Sequence, residues 1–219
     1  MRFLRFVRIA CGSGWVFERD AFVACRMPAL HSMNTEKKKQ PAIFLDRDGT
    51  LVEEVNFLHR VEDLRFFDFT DEAVTLLKEN GFLIVVVTNQ SGIGRNIYDE
   101  AAMHGIHEKI QNDLTATLDA FYFCPHLPEE GCACRKPGVG MIKKALEEFD
   151  IDPDQSWMIG DKALDIMAGK NAGLKTALVL TGYGEKEIEK LTALPDLIAE
   201  NLLDAVKDII SERGQNRER

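Results

Sequence analysis

Apolar and polar positions alternate along the chain in blocks that predict strands and helices in turn. Uninterrupted apolar runs predict five strands, at Ala42 to Leu45, Leu83 to Val87, Ala120 to Phe123, Trp157 to Ile159 and Thr176 to Leu180. Runs of this kind are typical of strands buried on both faces of a parallel sheet, so we expect helices to cover both sides.

Amphipathic segments lie between and after these runs and predict helices. They cover residues Asp71 to Asn80, Tyr98 to Leu118, Gly140 to Phe149, Leu164 to Asn171 and Leu202 to Ile210. Gly81 follows the first segment, as expected of a helix that ends at a left-handed glycine. Repeated strand–helix units predict an α/β fold, a doubly wound and mostly parallel sheet with right-handed crossovers.

The predicted domain does not occupy the whole chain. Residues 1–40 show no sustained periodicity and end in the charged run Glu36 to Gln40, so they are predicted to be a poorly ordered N-terminal extension, with Met33 a candidate for the natural start. The domain is predicted at 41–211 and a polar tail at 212–219. No insertion between the predicted strands is large enough for a separate cap domain.

Charge and composition narrow the classes of function. Lysine and arginine number 27 and aspartate and glutamate 36, a formal net charge of −9, which argues against a nucleic-acid partner. No apolar run reaches the roughly 18 to 20 residues that cross a membrane, and the N-terminus has no convincing secretion signal. Five cysteines, an odd number, do not suit a disulfide framework. We therefore expect a cytoplasmic protein, without membrane or nucleic-acid partners, that works as a monomer.

The first candidate motif is Asp46-Arg47-Asp48-Gly49-Thr50, directly after a predicted buried strand. Carboxylates at positions i and i+2 of an extended chain point the same way. Asp46 could attack phosphorus as a nucleophile, and Asp48 could protonate the leaving oxygen and later activate water. A turn in which aspartate caps the next element is the simpler alternative for this motif alone.

Three further motifs follow other predicted strands. Thr88, with Asn89, Gln90 and Ser91, could hold phosphoryl oxygens, and Lys136, next to Arg135, could neutralise a phosphate. Asp161 is a suitable magnesium ligand, and Asp165 could orient Lys162 or a metal-bound water. Each motif has an ordinary structural explanation when taken alone. In open α/β sheets, however, ligands bind at the carboxyl ends of the strands, where all these motifs would converge.

A cysteine and histidine cluster lies just before Arg135 and Lys136. Its members are Cys124, His126, Cys132 and Cys134. Three thiolates and one imidazole make a closed tetrahedral set, the pattern of a structural Zn²⁺ site. Reduced free thiols in a loop are the alternative. Zinc here would stiffen the loop that carries the basic pair without taking part in the chemistry.

Together and in this order, the motifs resemble those of phosphatases of the haloacid dehalogenase superfamily, over roughly Pro41 to Gly184. The resemblance implies that Asp46 is the nucleophile and Asp48 the acid/base, and that Thr88 and Lys136 hold the phosphoryl group. It also implies Mg²⁺ as cofactor, held by Asp46, Asp161 and the main-chain carbonyl of Asp48. The fold implied is the Rossmann-like core of that superfamily, with a small zinc loop instead of a large cap.

The zinc loop resembles one branch of this superfamily, which comprises heptose-bisphosphate phosphatases and histidinol-phosphatases. Resemblance to the heptose-bisphosphate phosphatases implies a small phosphorylated sugar of surface-polysaccharide synthesis as the substrate. Resemblance to the histidinol-phosphatases implies histidinol phosphate as the alternative substrate. A phosphotransferase, a phospho-sensing switch or a zinc-containing binding module would be the other classes. Residues expected to contact substrate are Glu54, Asn56, Asn89, Gln90, Ser91, Arg135 and Lys162. Where many heptose enzymes carry an Asp and a Gly-Tyr pair, this chain reads Glu53 to Phe57.

Overall fold

A computed structural model describes residues 39–217 and confirms the predicted α/β fold. The strands are β1 (Ala42–Leu45), β2 (Leu83–Asn89), β3 (Ala120–Cys124), β4 (Trp157–Gly160), β5 (Lys175–Val179) and β6 (Leu197–Ala199). The helices are α1 (Thr70–Glu79), α2 (Ser91–Gly94), α3 (Glu100–Asp113), α4 (Gly140–Glu148), α5 (Ala163–Asn171), α6 (Gly184–Glu187) and α7 (Leu202–Arg217). Short 3-10 turns lie at Val61–Asp63, Pro128–Glu130, Pro153–Gln155 and Ile188–Lys190.

The six strands form one sheet in the order β3-β2-β1-β4-β5-β6, and every neighbouring pair is parallel. The chain builds outward from β1 through β2 and β3 on one side and from β4 through β5 and β6 on the other. The reversal of direction lies between β1 and β4, and in such sheets the ligand crevice opens at that point. The topology thus places the binding site at the ends of β1 and β4.

Alternate residues of the central strands pack against different helical layers, because successive side chains of a strand point to opposite faces. Ile43 and Leu45 belong to the apolar core that includes residues of α1, α3 and α7. Ala42 and Phe44 belong to the opposite core, with residues of α4 and α5. Strand β1 and residues Ile84 to Val87 of β2 are fully buried between these layers, which explains their uninterrupted apolar runs, whereas most of the edge strand β3 is only partly buried.

Helix α3 is shorter than the predicted segment Tyr98 to Leu118, and capping explains both ends. The side chain of Asp99 accepts a hydrogen bond from the main-chain N–H of Ala102 (2.8 Å), so the helix begins at Glu100. Beyond Asp113, the N–H and hydroxyl of Thr115 donate to the carboxylate of Asp71, at 2.7 and 2.8 Å. These bonds replace the helical pairing that would have continued the helix.

The chain ends differ from the prediction. The predicted end of the last helix near Ile210 is wrong, because α7 continues to Arg217 and includes residues 212–217 of the predicted polar tail. Arg213 lies over the ring of Phe82 (4.7 Å) and donates to the carbonyl of Asn80 (2.7 Å), which stabilises these added turns. Strand β6 and the short helices α2 and α6 are not among the predicted elements.

The predicted N-terminal extension falls mostly on residues 1–38, which lie outside the described residues. Its last residue, Gln40, belongs to the folded domain: its N–H donates to the carbonyl of Asp150 (2.8 Å) and it forms a bridge with Ile151. Within residues 39–217, every helix is too short or too polar to cross a bilayer.

Candidate active site

The carboxyl edge of the sheet collects the predicted catalytic residues from separate elements. Asp46 follows β1, Thr88 is the penultimate residue of β2, and Asp161 follows β4. Lys136 comes from the loop between β3 and α4 and reaches Asp46. Asp46, Asp48, Thr88 and Lys136 line one cleft, so residues up to 90 positions apart in the chain meet as the sequence predicted.

Lys136 is the buried cation of this cleft. Its ammonium lies 2.8 Å from Oδ1 of Asp46 and 2.6 Å from Oδ1 of Asp165, and it donates to the carbonyl of Val87 (2.8 Å). Burial alone would lower the pKa of Lys136, but the two carboxylates outweigh it and raise the pKa. Burial would likewise raise the pKa of Asp46, yet the charges of Lys136 and Lys162 hold it below its ordinary value. Asp46 is therefore an ionised carboxylate at neutral pH.

Three buried carboxylates lie close together beside the cleft, and two of them, Asp46 and Asp165, contact Lys136. Oxygens of Asp46, Asp161 and Asp165 all lie within 4.8 Å of one another. Among the described residues, Oδ1 of Asp161 is buried without a hydrogen-bond partner. Burial, followed by the charge of Asp46, raises the pKa of Asp161 to about 8, and burial raises that of Asp165 to about 6. Three neighbouring carboxylates, one of which has an oxygen without a hydrogen-bond partner among the described residues, fit Mg²⁺, because this ion prefers carboxylate ligands.

Asp165 holds the ammonium of Lys136, whereas the sequence suggested that it orients Lys162 or a water. Its Oδ2 does accept the main-chain N–H of Lys162 (3.0 Å), at the start of α5. The ammonium of Lys162 instead lies 3.0 Å from Oε2 of Glu54 and 4.8 Å from the ring centroid of Tyr183. Asp165 thus bonds the start of α5 through one oxygen and the ammonium of Lys136 through the other.

The carboxylate of Asp48 is not part of the group formed by Asp46, Asp161 and Asp165. Arg47, which is 0% exposed, donates to both oxygens of Asp48, from Nε at 3.0 Å and from an NH2 nitrogen at 2.9 Å. Gln90 adds a bond of 3.0 Å from its amide nitrogen. The carboxylate is 15% exposed and lines the cleft, which leaves the main-chain carbonyl of Asp48 for the predicted magnesium site.

Asn89 and Gln90 are predicted to contact substrate. In the structure their side-chain amides form hydrogen bonds with other residues of the protein. Asn89 bonds the main chain of Lys136 in both directions, accepting its N–H (3.0 Å) and donating to its carbonyl (3.2 Å). Gln90 accepts from Arg47 (3.0 Å) and Tyr98 (2.6 Å) and donates to Thr88 (2.8 Å) besides Asp48. Asn89 thus holds Lys136 in place, and Gln90 holds Asp48 and Thr88, all of them predicted catalytic residues.

The other predicted substrate residues lie around the mouth of the cleft. Glu54, Asn56, Ser91 and Lys162 line it, whereas Arg135 lines an adjoining groove and donates to the carbonyl of His126 (3.2 Å). Within residues 39–217 the chain between β1 and β2 holds only one 3-10 turn and α1, with no separate cap domain. The cleft is open, as predicted.

The cysteine and histidine cluster forms a compact group beside the cleft. Sulfur atoms of Cys124, Cys132 and Cys134 lie 3.2 to 3.5 Å apart, and Nδ1 of His126 lies 3.5 and 3.3 Å from those of Cys124 and Cys134. Tetrahedral Zn–S bonds of about 2.3 Å place sulfurs about 3.8 Å apart, close to these separations. The donor set and its size fit Zn²⁺ without a change of fold.

Known proteins resemble this chain over most of its length. A D-glycero-beta-D-manno-heptose-1,7-bisphosphate 7-phosphatase from Haemophilus ducreyi is 38% identical over 181 residues, which cover 75% of this chain and 96% of that protein. The one from Pasteurella multocida is 42% identical over 176 residues, 72% of this chain and 96% of its own. The HAD-hydrolase-like family model matches residues 133–205, which include Lys136 and Asp161.

The chain belongs to the heptose-bisphosphate phosphatase family. It is therefore a phosphatase of the haloacid dehalogenase superfamily, as its motifs predicted. A crystal structure of D,D-heptose 1,7-bisphosphate phosphatase from B. bronchiseptica, complexed with magnesium and phosphate, has a TM-score of 0.74 and 31% identity. The match covers 79% of this chain and 99% of that one.

Sequence reasoning missed the hydrogen-bond network behind Asp48 in this member of the phosphatase family. The sequence places Arg47 within the first motif and Tyr98 at the start of a predicted helix, and it assigns no contact to either side chain. A buried charge must be paired, so an arginine between two aspartates after a buried strand was a usable signal for Arg47. Tyr98 gave no such signal, because only the fold of the segment before α3 brings its hydroxyl to Gln90.

Proposed function

We propose that the protein removes the 7-phosphate of D-glycero-D-manno-heptose 1,7-bisphosphate, in the synthesis of heptose precursors for lipopolysaccharide or related surface polysaccharides. One observation carries the proposal: the carboxylate of Asp46 pairs with Lys136 at 2.8 Å and lies close to that of Asp161, whose Oδ1 has no hydrogen-bond partner among residues 39–217. The relatives at 38 to 42% identity carry this activity in their names, which selects the substrate among phosphate esters.

Asp46 is the proposed nucleophile. Its free carboxylate oxygen attacks the phosphorus, the new O–P bond forms, and the bond from phosphorus to the sugar oxygen breaks. Asp48 gives a proton to that leaving oxygen and then takes one from the water that hydrolyses the acyl phosphate. The low pKa of Asp46 supports this role, because the attacking group has to be ionised.

The phosphoryl group is held from several sides in this proposal. The carboxylates of Asp46 and Asp161 and the main-chain carbonyl of Asp48 would hold Mg²⁺, which offsets the repulsion between Asp46 and an incoming phosphate. Lys136 and the hydroxyl of Thr88 face the same cleft and would contact phosphoryl oxygens. A fixed ammonium in a buried site needs little reorganisation when charge develops on those oxygens.

The sugar would lie at the mouth of the cleft. Glu54, Asn56, Ser91 and Lys162 line it and offer hydrogen-bond donors and acceptors to a polyol, while Arg135 in the adjoining groove offers a cation further out. An open cleft without a cap suits a substrate with a second phosphate at its far end.

Zinc is proposed as a structural cofactor, held by the four-member cluster of Cys124, His126, Cys132 and Cys134. The cluster ends one residue before Arg135, so the ion would fix the loop that delivers Lys136 to Asp46. The sulfurs lie 3.2 to 3.5 Å apart, so they are free to bind an ion and are not joined as a disulfide. We propose a cytoplasmic monomer that acts on a small sugar phosphate, and light scattering would test the monomer.

A substrate panel tests the proposal. Release of phosphate should be compared for the α and β anomers of heptose 1,7-bisphosphate and for histidinol phosphate, with and without Mg²⁺. We expect magnesium-dependent turnover that favours one heptose anomer, and no turnover by Asp46→Asn. A preference for histidinol phosphate would reject the heptose assignment and keep the nucleophile, whereas an active Asp46→Asn protein would reject the mechanism. Phosphate that moves to an added sugar instead of water would indicate a phosphotransferase.

A further inference from the structure

The loop between β5 and α6, which includes residues 181–183, lies against the turn that follows β1. The hydroxyl of Thr181 donates to the carbonyl of Gly49, at 2.6 Å and across 132 positions of sequence. A Cβ added to Gly182 would lie 2.7 Å from the Cα of Gly49. The two loops are therefore in direct contact and are tied by one side-chain hydrogen bond.

Asp161 is enclosed where these loops meet. Its Oδ2 accepts the main-chain N–H of Tyr183 (2.9 Å). A Cβ on either Gly49 or Gly182 would lie 2.3 Å from that same oxygen, and the two glycines have left-handed φ angles of +86° and +58°. Residues other than glycine rarely take such φ angles, and at these two positions their Cβ atoms would also clash with Asp161. The Oδ2 atom of this carboxylate is thus bonded to the loop, whereas Oδ1 has no hydrogen-bond partner in the part of the chain that the structure describes.

Gly49 is held on both sides of its Cα. Its N–H donates to the carbonyl of Val52 (2.8 Å), and its own carbonyl accepts the hydroxyl of Thr181. The N–H of Gly49 belongs to the same planar peptide as the main-chain carbonyl of Asp48. A shift of Gly49 would therefore move that carbonyl relative to Asp161.

We propose that Thr181 is a positioning residue for the magnesium site. By joining the two loops, its hydroxyl sets the distance between the main-chain carbonyl of Asp48 and the free oxygen of Asp161. This inference rests on the proposed function only for the identity of those two magnesium ligands. Groups that orient the ligands of a metal commonly change its affinity by about 10- to 100-fold, although they never contact the ion, and Thr181 would act on the Asp48 carbonyl through Gly49.

The test measures metal binding directly. Thr181→Val keeps the shape of the side chain and removes the hydroxyl, whereas Thr181→Ser keeps the hydroxyl. Binding of Mg²⁺ would be measured by calorimetry, and of Mn²⁺ by electron paramagnetic resonance, without substrate. We expect the Kd for both ions to rise about tenfold in Thr181→Val and to stay within about twofold of wild type in Thr181→Ser. At saturating Mg²⁺, kcat of Thr181→Val should return most of the way to wild type.

Controls separate this inference from the proposed function. Melting of each variant in EDTA shows whether it is folded, and Thr181→Ala replaces the valine variant if that variant does not fold. Asp161→Ala should abolish metal binding; if it binds Mg²⁺ like wild type, the proposed metal site itself is wrong. If Asp161→Ala loses the metal while both the valine and alanine variants at 181 bind it with the wild-type Kd, the inference about Thr181 fails and the proposed function stands.

Discussion

Arg47 holds the carboxylate of Asp48 with two parallel hydrogen bonds, of 3.0 and 2.9 Å, although its own side chain is fully buried. The guanidinium also donates to Gln90 (3.0 Å) and contacts Nε2 of His107 (3.4 Å). Arg47 lies in the sequence between Asp46, the proposed nucleophile, and Asp48, the proposed acid, so its charge lies behind the cleft. The arrangement fixes the direction in which Asp48 faces a leaving group.

Replacing Arg47 by lysine should disturb this geometry while keeping the charge. Lysine cannot form the two-pronged bond, so the orientation of Asp48 would be lost. We expect kcat of Arg47→Lys to fall by about 10- to 100-fold, within the range of acid–base catalysis, with a smaller change in KM. Arg60→Lys is the control, since Arg60 is exposed and away from the cleft. Equal kcat values for the two variants would contradict the positioning of Asp48 by Arg47.

Magnesium should stabilise the folded protein through Asp161. The carboxylates of Asp46, Asp161 and Asp165 lie within 4.8 Å of one another, and a bound cation relieves their repulsion. A ligand at 100 times its Kd adds about 2.7 kcal/mol to the free energy of unfolding. We expect that gain in wild type, from urea titrations with and without Mg²⁺, and almost none in Asp161→Asn. A full magnesium-dependent gain in the variant would place the ion elsewhere.

The sequence allowed the sheet and the central residues of the site to be predicted, because both depend on local patterns. Apolar runs located β1 to β5, and a polar residue after a buried strand has to lie at the edge of the sheet. Strand β6 was missed because its apolar run, Leu197–Ala199, has only three residues and lies between the charged residues Asp196 and Glu200, and Ile198 is 46% exposed. The two turns beyond Ile210 depend on contacts of Arg213 with residues far away in sequence.

Side-chain partners were harder to predict than positions. Asn89 and Gln90 have the amides expected of substrate contacts, and only the fold shows that Lys136, Arg47 and Tyr98 occupy them. A planar amide bonds equally well to a ligand or to a neighbour, so residue type alone does not decide between the two.

Removal of zinc should loosen the loop that carries Lys136. Cys132→Ser and Cys134→Ser each remove one thiolate of the four-member cluster, and neither residue touches the cleft. We expect about one zinc per chain in wild type by mass spectrometry and much less in either variant, with lower melting temperatures and reduced kcat. Ser91→Ala, outside the cluster, should keep its zinc. Full activity after complete removal of zinc would show that the loop holds its shape without the ion.

His107 should make the protein less stable in mild acid. The ring lies on Phe121 (4.5 Å between centroids) and next to Arg47, and burial followed by the charge of Arg47 lowers the pKa of His107 to about 3. The unfolded chain has a histidine pKa of about 6.5 and binds the proton first as pH falls. Stability is thus retained above pH ~6.5 and lost towards pH ~3, by up to about 1.4 kcal/mol per pH unit.

His107→Gln removes this titration and keeps a hydrogen-bond acceptor for Arg47. Urea unfolding at pH ~7 and pH ~5 should show that wild type loses about 2 kcal/mol more than the variant, because about 1.5 pH units lie below the unfolded pKa. His104→Gln, one turn earlier on the exposed side of α3, should lose as much as wild type. If His107→Gln shows the wild-type dependence on pH, the buried ring is not the group that takes up the proton.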